Sequence, residues 1–289
     1  NILNLYLKMN ETINERKIKD SIDALSLRKI EIISEQMKES VCKIYGDKIG
    51  TGFFSKILYD EVNIPVLITD NHIISNEFIE NSKQIKISIN NDKILDTISI
   101  NENNIIYSNP SGKYDITVIK LSEDNKYHYL ELDPNLFEQN SENLYEDKSV
   151  YILHYPNEKN ISVSFGYGIK KLDNKYYIKH LCNTGPCSSG SPILNLSTNK
   201  VIGIHKRTVV NKNYNKGIFL KYPLSIINNQ IKLKIKINKE HINKQIYFLD
   251  NTKEHNYLKE LNSLTTELYI NNNKKEFDKY FIPDKEGIY

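Results

Sequence analysis

Short apolar runs separated by turn residues fill the centre of this chain, and they constrain its fold more than any other feature. Each run is four to nine residues long, which suits a strand and is too short for a typical helix. Ten of the eleven glycines lie between Gly46 and Gly217, where tight turns between strands need them. The pattern predicts an all-β protein built from antiparallel barrels or sandwiches. The predicted strands are residues 41–45, 52–58, 65–69, 84–89, 116–121, 150–154, 161–169, 176–181, 193–196, 201–205 and 218–222.

The two ends of the chain have a different pattern. Residues 10–40 lack glycine and proline and carry apolar residues at helical spacing, so we expect a helix that leads into the first strand and packs on the barrel surface. A short closing helix is expected at 223–230, followed by further strands and a short helix at 255–264. The predicted regions are a helical N-terminal extension at 1–40, a main domain at 41–230 and a small β-containing accessory region at 231–289.

Residues 184–193, Thr-Gly-Pro-Cys-Ser-Ser-Gly-Ser-Pro-Ile, form the most informative motif. Gly190 and Pro192 suit a tight turn that holds the Ser189 hydroxyl in the open. Such a turn can also aim two backbone N–H groups at one point, where they would stabilise an oxyanion. Ser, Gly and Pro fill ordinary turns as well, so the motif needs partners elsewhere in the chain.

Two such partners precede Ser189. His72 ends an apolar run in a polar turn, and Asp115 opens the strand-like segment Asp-Ile-Thr-Val-Ile. Each alone is typical of a surface turn or a strand edge. The order His, Asp, Ser, at separations of 43 and 74 residues, predicts a nucleophilic triad.

Together these motifs resemble those of the chymotrypsin/trypsin-like serine peptidase family. Residues 50–55, Gly-Thr-Gly-Phe-Phe-Ser, also resemble the hairpin that starts the first barrel of that family. The resemblance implies two antiparallel six-stranded β-barrels of the chymotrypsin-like type. It further implies peptide-bond hydrolysis without a cofactor, with His72 as general base, Asp115 as its orienting partner and Ser189 as nucleophile.

One position departs from the family pattern. The resemblance assigns the oxyanion hole to the N–H groups of Cys187 and Ser189, yet the family has glycine where this chain has Cys187. A side chain is disfavoured at the positive φ that this position tends to need. Two alternatives therefore stay open: a weakened pseudo-protease that acts as a binding module, and a peptidase that uses Cys187 as nucleophile. In the second register Ser188 would follow the nucleophile where viral relatives have glycine.

The strand after the nucleophile loop predicts specificity. Its Gly-Ile-His ending resembles the glutamyl endopeptidase branch of the family, in which a His on this strand and a Thr five residues before the nucleophile hold a carboxylate side chain. The matching residues are His205 and Thr184, so the resemblance implies a preference for Glu or Asp at P1. Lys206 and Arg207 would add positive potential. The alternative is that His205 is an ordinary strand-end residue.

Composition narrows the partners. The net charge is +3 with Lys and Arg spread along the chain, and no nucleic-acid, phosphate or zinc motif is present, so we expect a protein or peptide substrate, no nucleic acid and no metal. No run is long enough to span a membrane, and nothing specifies an oligomeric state. The three cysteines are an odd number without ligand spacing, and no signal peptide is visible. These features favour reduced thiols and an intracellular (cytoplasmic) location.

Overall fold

The computed structural model describes residues 22, 24–101, 104–109, 114–122, 126–166, 170–171, 176–209, 212–228, 235–247, 268–270, 273–275 and 280–288. Contacts between Cα atoms divide the chain into two compact units, Asn1–Ile227 and Asn228–Tyr289. The helix predicted at 255–264 lies outside the described residues.

Three α-helices are present in the described part of the chain: α1 (Leu27–Glu39), α2 (Asn76–Asn81) and α3 (Lys221–Asn228). The Ser26 hydroxyl caps α1 by accepting the Lys29 N–H, and Ile33 is buried. None of these helices is long and apolar enough to cross a membrane. Short 3-10 helices lie at Pro134–Phe137, Ser141–Tyr145, Pro156–Glu158 and Lys239–His241.

Two antiparallel sheets form the larger unit. The first contains β1 (Val41–Tyr45), β2 (Ile49–Tyr59), β3 (Val62–Thr69), β4 (Gln84–Ile89), β5 (Ile94–Ser99), β6 (Ile105–Asn109) and β7 (Ile116–Lys120). The second contains β8 (Val150–His154), β9 (Ser162–Gly166), β10 (Lys170–Lys171), β11 (Tyr177–His180), β12 (Pro192–Asn195), β13 (Lys200–Val209) and β14 (Tyr214–Phe219). The strand orders are β5-β4-β1-β2-β3-β7-β6 and β10-β11-β14-β13-β12-β8-β9.

This architecture confirms the predicted all-β, chymotrypsin-like class. Each sheet has seven strands rather than six. In the first sheet the chain between β5 and β6 is interrupted by a turn in which the Asn101 N–H donates to the side chain of Asn104 at 2.8 Å. In the second, the two-residue strand β10 adds to the edge beside β11.

The hydrophobic core joins the two sheets. One buried cluster includes Phe53 and Val66 from the first sheet, Ile152 and Ile204 from the second, and Ile33 from α1. A second buried cluster packs against the first sheet alone. Because one core supports both sheets, the loops at their junction are held on a rigid base.

The smaller unit has its own short strands: β15 (Lys236–Ile237), β16 (Ile246–Tyr247), β17 (Leu268–Ile270), β18 (Asn273–Lys275), β19 (Tyr280–Phe281) and β20 (Gly287–Ile288). They pair antiparallel as β15 with β20, β16 with β19 and β17 with β18. Ile237 and Phe281 are buried. The small C-terminal extension therefore contains β structure, as its sequence pattern predicts.

Candidate active site

His72 and Asp115 form a doubly hydrogen-bonded pair. Oδ2 of Asp115 lies 3.0 Å from Nδ1 of the His72 ring, and Oδ1 accepts the His72 backbone N–H at 3.0 Å. Burial alone would raise the pKa of Asp115, but its hydrogen bonds to His72 and the charges of His72 and Lys206 outweigh burial and lower the pKa. The carboxylate therefore stays ionised and fixes both the position and the tautomer of the imidazole.

Local structure explains why these two residues meet. His72 follows β3 in a turn that the buried Asn71 ties to the neighbouring strands, because its amide donates to Ser108 Oγ at 2.7 Å and Thr117 Oγ1 at 3.0 Å. Asp115 precedes β7, which pairs directly with β3. Its φ of 57° is a left-handed conformation that aspartate tolerates better than most residues.

Two further charged residues lie beside the pair: Lys206, which the sequence analysis connects only with P1 binding, and Asp70, which no sequence motif reveals. Lys206 is largely buried, and its Nζ lies 3.4 Å from Asp115 Oδ2. Asp70 is fully buried, 3.9 Å from His72 Nδ1, and neither of its carboxylate oxygens has a hydrogen-bond partner. Burial and the negative charge of Asp115 raise the pKa of Asp70 well above its usual value, while Lys206 opposes the rise.

Asp70, His72 and Asp115 form the one group of three metal-ligating side chains in the described part of the chain whose ligand atoms all lie within 4.8 Å of one another. Asp115 of this group already pairs with the Lys206 ammonium at 3.4 Å. Nδ1 of His72 is also bonded to Asp115. These contacts fit a buried charge cluster better than a metal centre.

Ser189 lies in the turn before β12 and is partly exposed. Its Oγ donates to the backbone carbonyl of Lys206 at 3.0 Å. No hydrogen bond joins Ser189 to His72 among the residues that the structure describes. The structure thus brings the predicted base His72 and its predicted partner Asp115 together. The predicted nucleophile Ser189 is instead hydrogen-bonded to the Lys206 carbonyl on β13.

The backbone at Cys187, in the loop that carries Ser189, has the positive φ that the family pattern leads us to expect. Cys187 has φ 68°, the left-handed conformation that the sequence comparison with glycine anticipates. The Ser188 N–H donates to the Gly185 carbonyl at 3.2 Å. In the described part of the chain, the N–H groups of Cys187 and Ser189, on either side of Ser188, donate to no protein acceptor.

Thr51 on β2 ties this loop to the first sheet. Its hydroxyl donates to the Cys187 carbonyl at 2.8 Å, and its N–H donates to the Ser189 carbonyl at 2.9 Å. The same hydroxyl accepts the Tyr155 N–H at 3.2 Å. A Cβ on Gly190, which has φ 87°, would lie 2.0 Å from the Thr51 carbonyl. Close approach of β2 therefore requires glycine at position 190.

The surroundings of the Cys187 thiol disfavour its thiolate form. Burial and the nearby carboxylate of Glu158 raise its pKa, and its Sγ lies 4.0 Å from Glu158 Oε1. A reactive cysteine needs the opposite environment, with a positive neighbour that stabilises the thiolate.

Three buried histidines line the second sheet behind the nucleophile loop. Nδ1 of His205 contacts Nε2 of His180 at 3.0 Å, and Nδ1 of His154 contacts the Ser188 hydroxyl at 2.7 Å. Burial lowers the pKa of His154 to about 4. Burial and His154 lower the pKa of His180 to about 3. Burial and then His180 lower the pKa of His205 well below its usual value, so all three rings are neutral near pH 7.

The two residues predicted to hold a P1 carboxylate have different partners. Thr184 Oγ1 lies 3.3 Å from Thr208 Oγ1 on β13, and His205 bonds His180. No hydrogen bond joins Thr184 to His205 among the described residues. The sequence indicates little about the contacts made by the buried residues His180, Lys206 and Asp70. Single His, Lys and Asp residues on or beside short strands are common, and their neighbours depend on how the strands pair.

Comparison with known proteins follows this geometry. A sequence profile described as a trypsin-like peptidase domain matches residues 50–204, just over half of the chain. The solved structure of the HtrA-type protease AlgW with a tripeptide is 16% identical with a TM-score of 0.50, and the match covers 69% of this chain and 62% of that chain. The serine endoprotease from Yersinia pestis is 12% identical with a TM-score of 0.53, and the match covers 71% of this chain and 67% of that chain.

At these identities the two structures establish a common fold, and less than two thirds of AlgW is matched. No curated protein matches the chain significantly.

Proposed function

The chain belongs to the trypsin-like peptidase family, and on this premise we propose that it is a serine endopeptidase with His72, Asp115 and Ser189 as its catalytic triad. The main support is that the Asp115 carboxylate accepts two hydrogen bonds from His72, one from the ring and one from the backbone N–H. These bonds direct Nε2 of the imidazole away from Asp115, as a general base requires. The peptidase domain is proposed to span residues 41–230, with extensions at 1–40 and 231–289.

Catalysis begins with a rotation of the Ser189 side chain. Oγ leaves the Lys206 carbonyl, to which it now donates at 3.0 Å, and gives its proton to His72 Nε2 while attacking the substrate carbonyl carbon. The oxyanion is stabilised by the N–H groups of Cys187 and Ser189, and each such donor is worth about 10²- to 10³-fold in kcat. The imidazolium then protonates the leaving amine, and water hydrolyses the acyl-enzyme by the reverse sequence.

An acidic P1 preference is the finer part of this proposal, with Thr184 and His205 as the binding residues. Nδ1 of the buried His180 has no hydrogen-bond partner. A buried N–H without an acceptor is rarer than a lone pair without a donor, so we assign the proton of His180 to Nε2, which donates to His205 Nδ1. The proton of His205 then sits on Nε2, where a neutral imidazole can donate to a P1 carboxylate.

Ser189→Ala should lower kcat at least about 10⁴-fold without changing the fold. Ser225→Ala, an exposed serine on α3, is the matched control. A fluorophosphonate should label Ser189 in the wild-type protein, with the labelled peptide mapped by mass spectrometry. Full activity of Ser189→Ala would reject the triad.

Two other results would identify the alternatives. Inactivation by a thiol alkylator that maps to Cys187 would indicate a cysteine nucleophile, against which the raised pKa of that thiol argues. No turnover of any peptide pool by the wild-type protein would indicate a pseudo-protease used for binding. A panel of peptides that differ only at P1 tests specificity, and preferred cleavage after Leu or Arg would reject the acidic pocket.

A further inference from the structure

Three cations lie in register across three neighbouring strands of the second sheet. Lys179 on β11 is paired with Lys216 on β14, and Lys216 is paired with Arg207 on β13. Residues directly opposite each other in antiparallel strands point to the same face, about 5 Å apart. We call Lys179, Lys216 and Arg207 the basic ladder.

Among the described residues, nothing compensates the positive charge of the ladder. None of its three residues forms a salt bridge with an acidic residue among those that the structure describes. Lys216 Nζ lies 3.2 Å from the centroid of the Tyr177 ring, and Lys179 Nζ lies 4.6 Å from that of Tyr214. Aromatic faces hold the ammonium groups in place but leave their charge. Burial lowers the pKa of Lys216, and the charges of Arg207 and Lys206 lower it further.

Like charges in register destabilise a sheet, so this arrangement costs stability unless an anion binds it. The position of the ladder indicates which anion. β13 pairs with β14 up to Val209, whereas its pairing with β12 ends at Ile204. Beyond His205 the second edge of β13 is therefore unpaired by any described strand, and an extended peptide can add there.

The register of such a peptide follows from Ser189. The Lys206 carbonyl lies 3.0 Å from Ser189 Oγ, so the residue whose carbonyl is attacked, P1, lies opposite Lys206. In an antiparallel peptide P2 then lies opposite Arg207, and P4 shares its face because side chains alternate with a period of two. P3 lies opposite Thr208, whose side chain bonds Thr184 and not the ladder.

We propose that the basic ladder binds acidic side chains at P2 and P4 of the polypeptide substrate. Arg207 lies one strand spacing, about 4.8 Å, from the P2 position, and Lys216 and Lys179 follow at about two and three spacings. Their contributions should fall in that order, because charge interactions weaken with distance and are screened over about 10 Å at moderate ionic strength. This inference rests on the proposed function, since Ser189 sets the register.

Binding to the Ser189→Ala protein separates the two claims, because no turnover is needed. The probes are short fluorescent peptides with Glu at P1 that carry Glu at P2 and P4, Gln at both, or Glu at P3 alone. The P2/P4 Glu peptide should bind about fivefold to tenfold more tightly than the other two at low salt, and the difference should shrink in high salt.

The variants Arg207→Gln, Lys216→Gln and Lys179→Gln should reduce that difference in decreasing order. Lys56→Gln makes the same charge change on β2, away from the ladder, and should leave it intact. Equal binding of the P3 and P2/P4 peptides, or an equal loss in Lys56→Gln, would overturn the proposal. Ladder-dependent binding of an unstructured oligonucleotide with no preference among the peptides would also overturn it, in favour of nucleic acid. If peptides bind as expected but Ser189→Ala retains activity, only the triad fails.

Discussion

Thr51→Val should weaken catalysis more than its distance from the chemistry would suggest. Valine keeps the shape of threonine but lacks the hydroxyl that donates to the Cys187 carbonyl at 2.8 Å and accepts the Tyr155 N–H at 3.2 Å. Thr51 is fully buried, so water cannot readily replace either bond. The substitution therefore removes one of the contacts that hold the peptide between the two proposed oxyanion donors, the N–H groups of Cys187 and Ser189.

The magnitude follows from the two orphaned groups and the strained residue beside them. Each buried group left without a partner costs about 1–3 kcal/mol, so the free energy of unfolding should fall by about 2–6 kcal/mol. Cys187 has φ 68°, a conformation that costs a non-glycine residue about 1–2 kcal/mol. Without Thr51 that strain favours a flipped loop, and loss of an aligned oxyanion donor corresponds to about a 10²-fold fall in kcat.

Urea unfolding and steady-state kinetics on an active peptide measure the two effects. Ser55→Ala is the matched control, because its buried hydroxyl on the same strand donates to Leu130 at 2.7 Å, away from the loop. It should lose stability while kcat stays near the wild-type value. Adding Cys187→Gly to Thr51→Val should recover much of kcat, since glycine carries no penalty at this φ. An unchanged kcat in Thr51→Val, or no recovery in the double variant, would refute the reasoning.

Two pH-dependent predictions follow from the buried groups. The pKa of Asp70 is raised in the folded protein, so as pH rises above 3.8 this carboxyl ionises in the unfolded chain before it ionises in the folded one. The folding stability therefore falls as pH rises from 3.8 to the folded pKa. Asp70→Asn should therefore gain stability over the wild type as pH rises from about 3 to about 7 in unfolding titrations, and a pH-independent difference would contradict this. His205 is held neutral, so the ratio of kcat/KM for Glu over Gln at P1 should stay flat from about pH 5 to about pH 8; a loss centred near the usual His pKa would show that a charged ring binds P1.

The sequence predicts local features of this protein better than pairings between distant strands. The spacing of apolar residues was enough to place α1 and most strands, and β1, β4 and β8 have their predicted bounds. The strand β5 was missed because most of its residues are exposed. The strand β6 was missed although four of its five residues are buried, since the polar Ser108 and Asn109 shorten its apolar run. The contact between His72 and Asp115 follows from motifs on adjacent strands.

The burial of Asp70 could not be predicted in the same way. A carboxylate in a turn is normally solvated, and only the packing of both sheets around this turn buries it completely. Thr51 likewise lies in a motif that predicts a hairpin, while its bonds to the nucleophile loop join residues 136 positions apart. Such contacts depend on how the sheets meet, which no short pattern records.

A single irregularity on β13 lets the consecutive residues 205–207 contact three different regions of the protein. In a regular strand His205 and Arg207 would share one face and Lys206 would lie on the other. The register with β14 shifts between His205 and Arg207, which marks a bulge that turns the strand. His205 is thus buried against His180, Lys206 reaches Asp115, and Arg207 emerges on the outer face. Deleting Lys206 would restore the alternation and remove the cation beside Asp115, while Arg207 would stay opposite Lys216. The bulge thus adds a residue of the proposed catalytic site to a strand that also carries the proposed specificity.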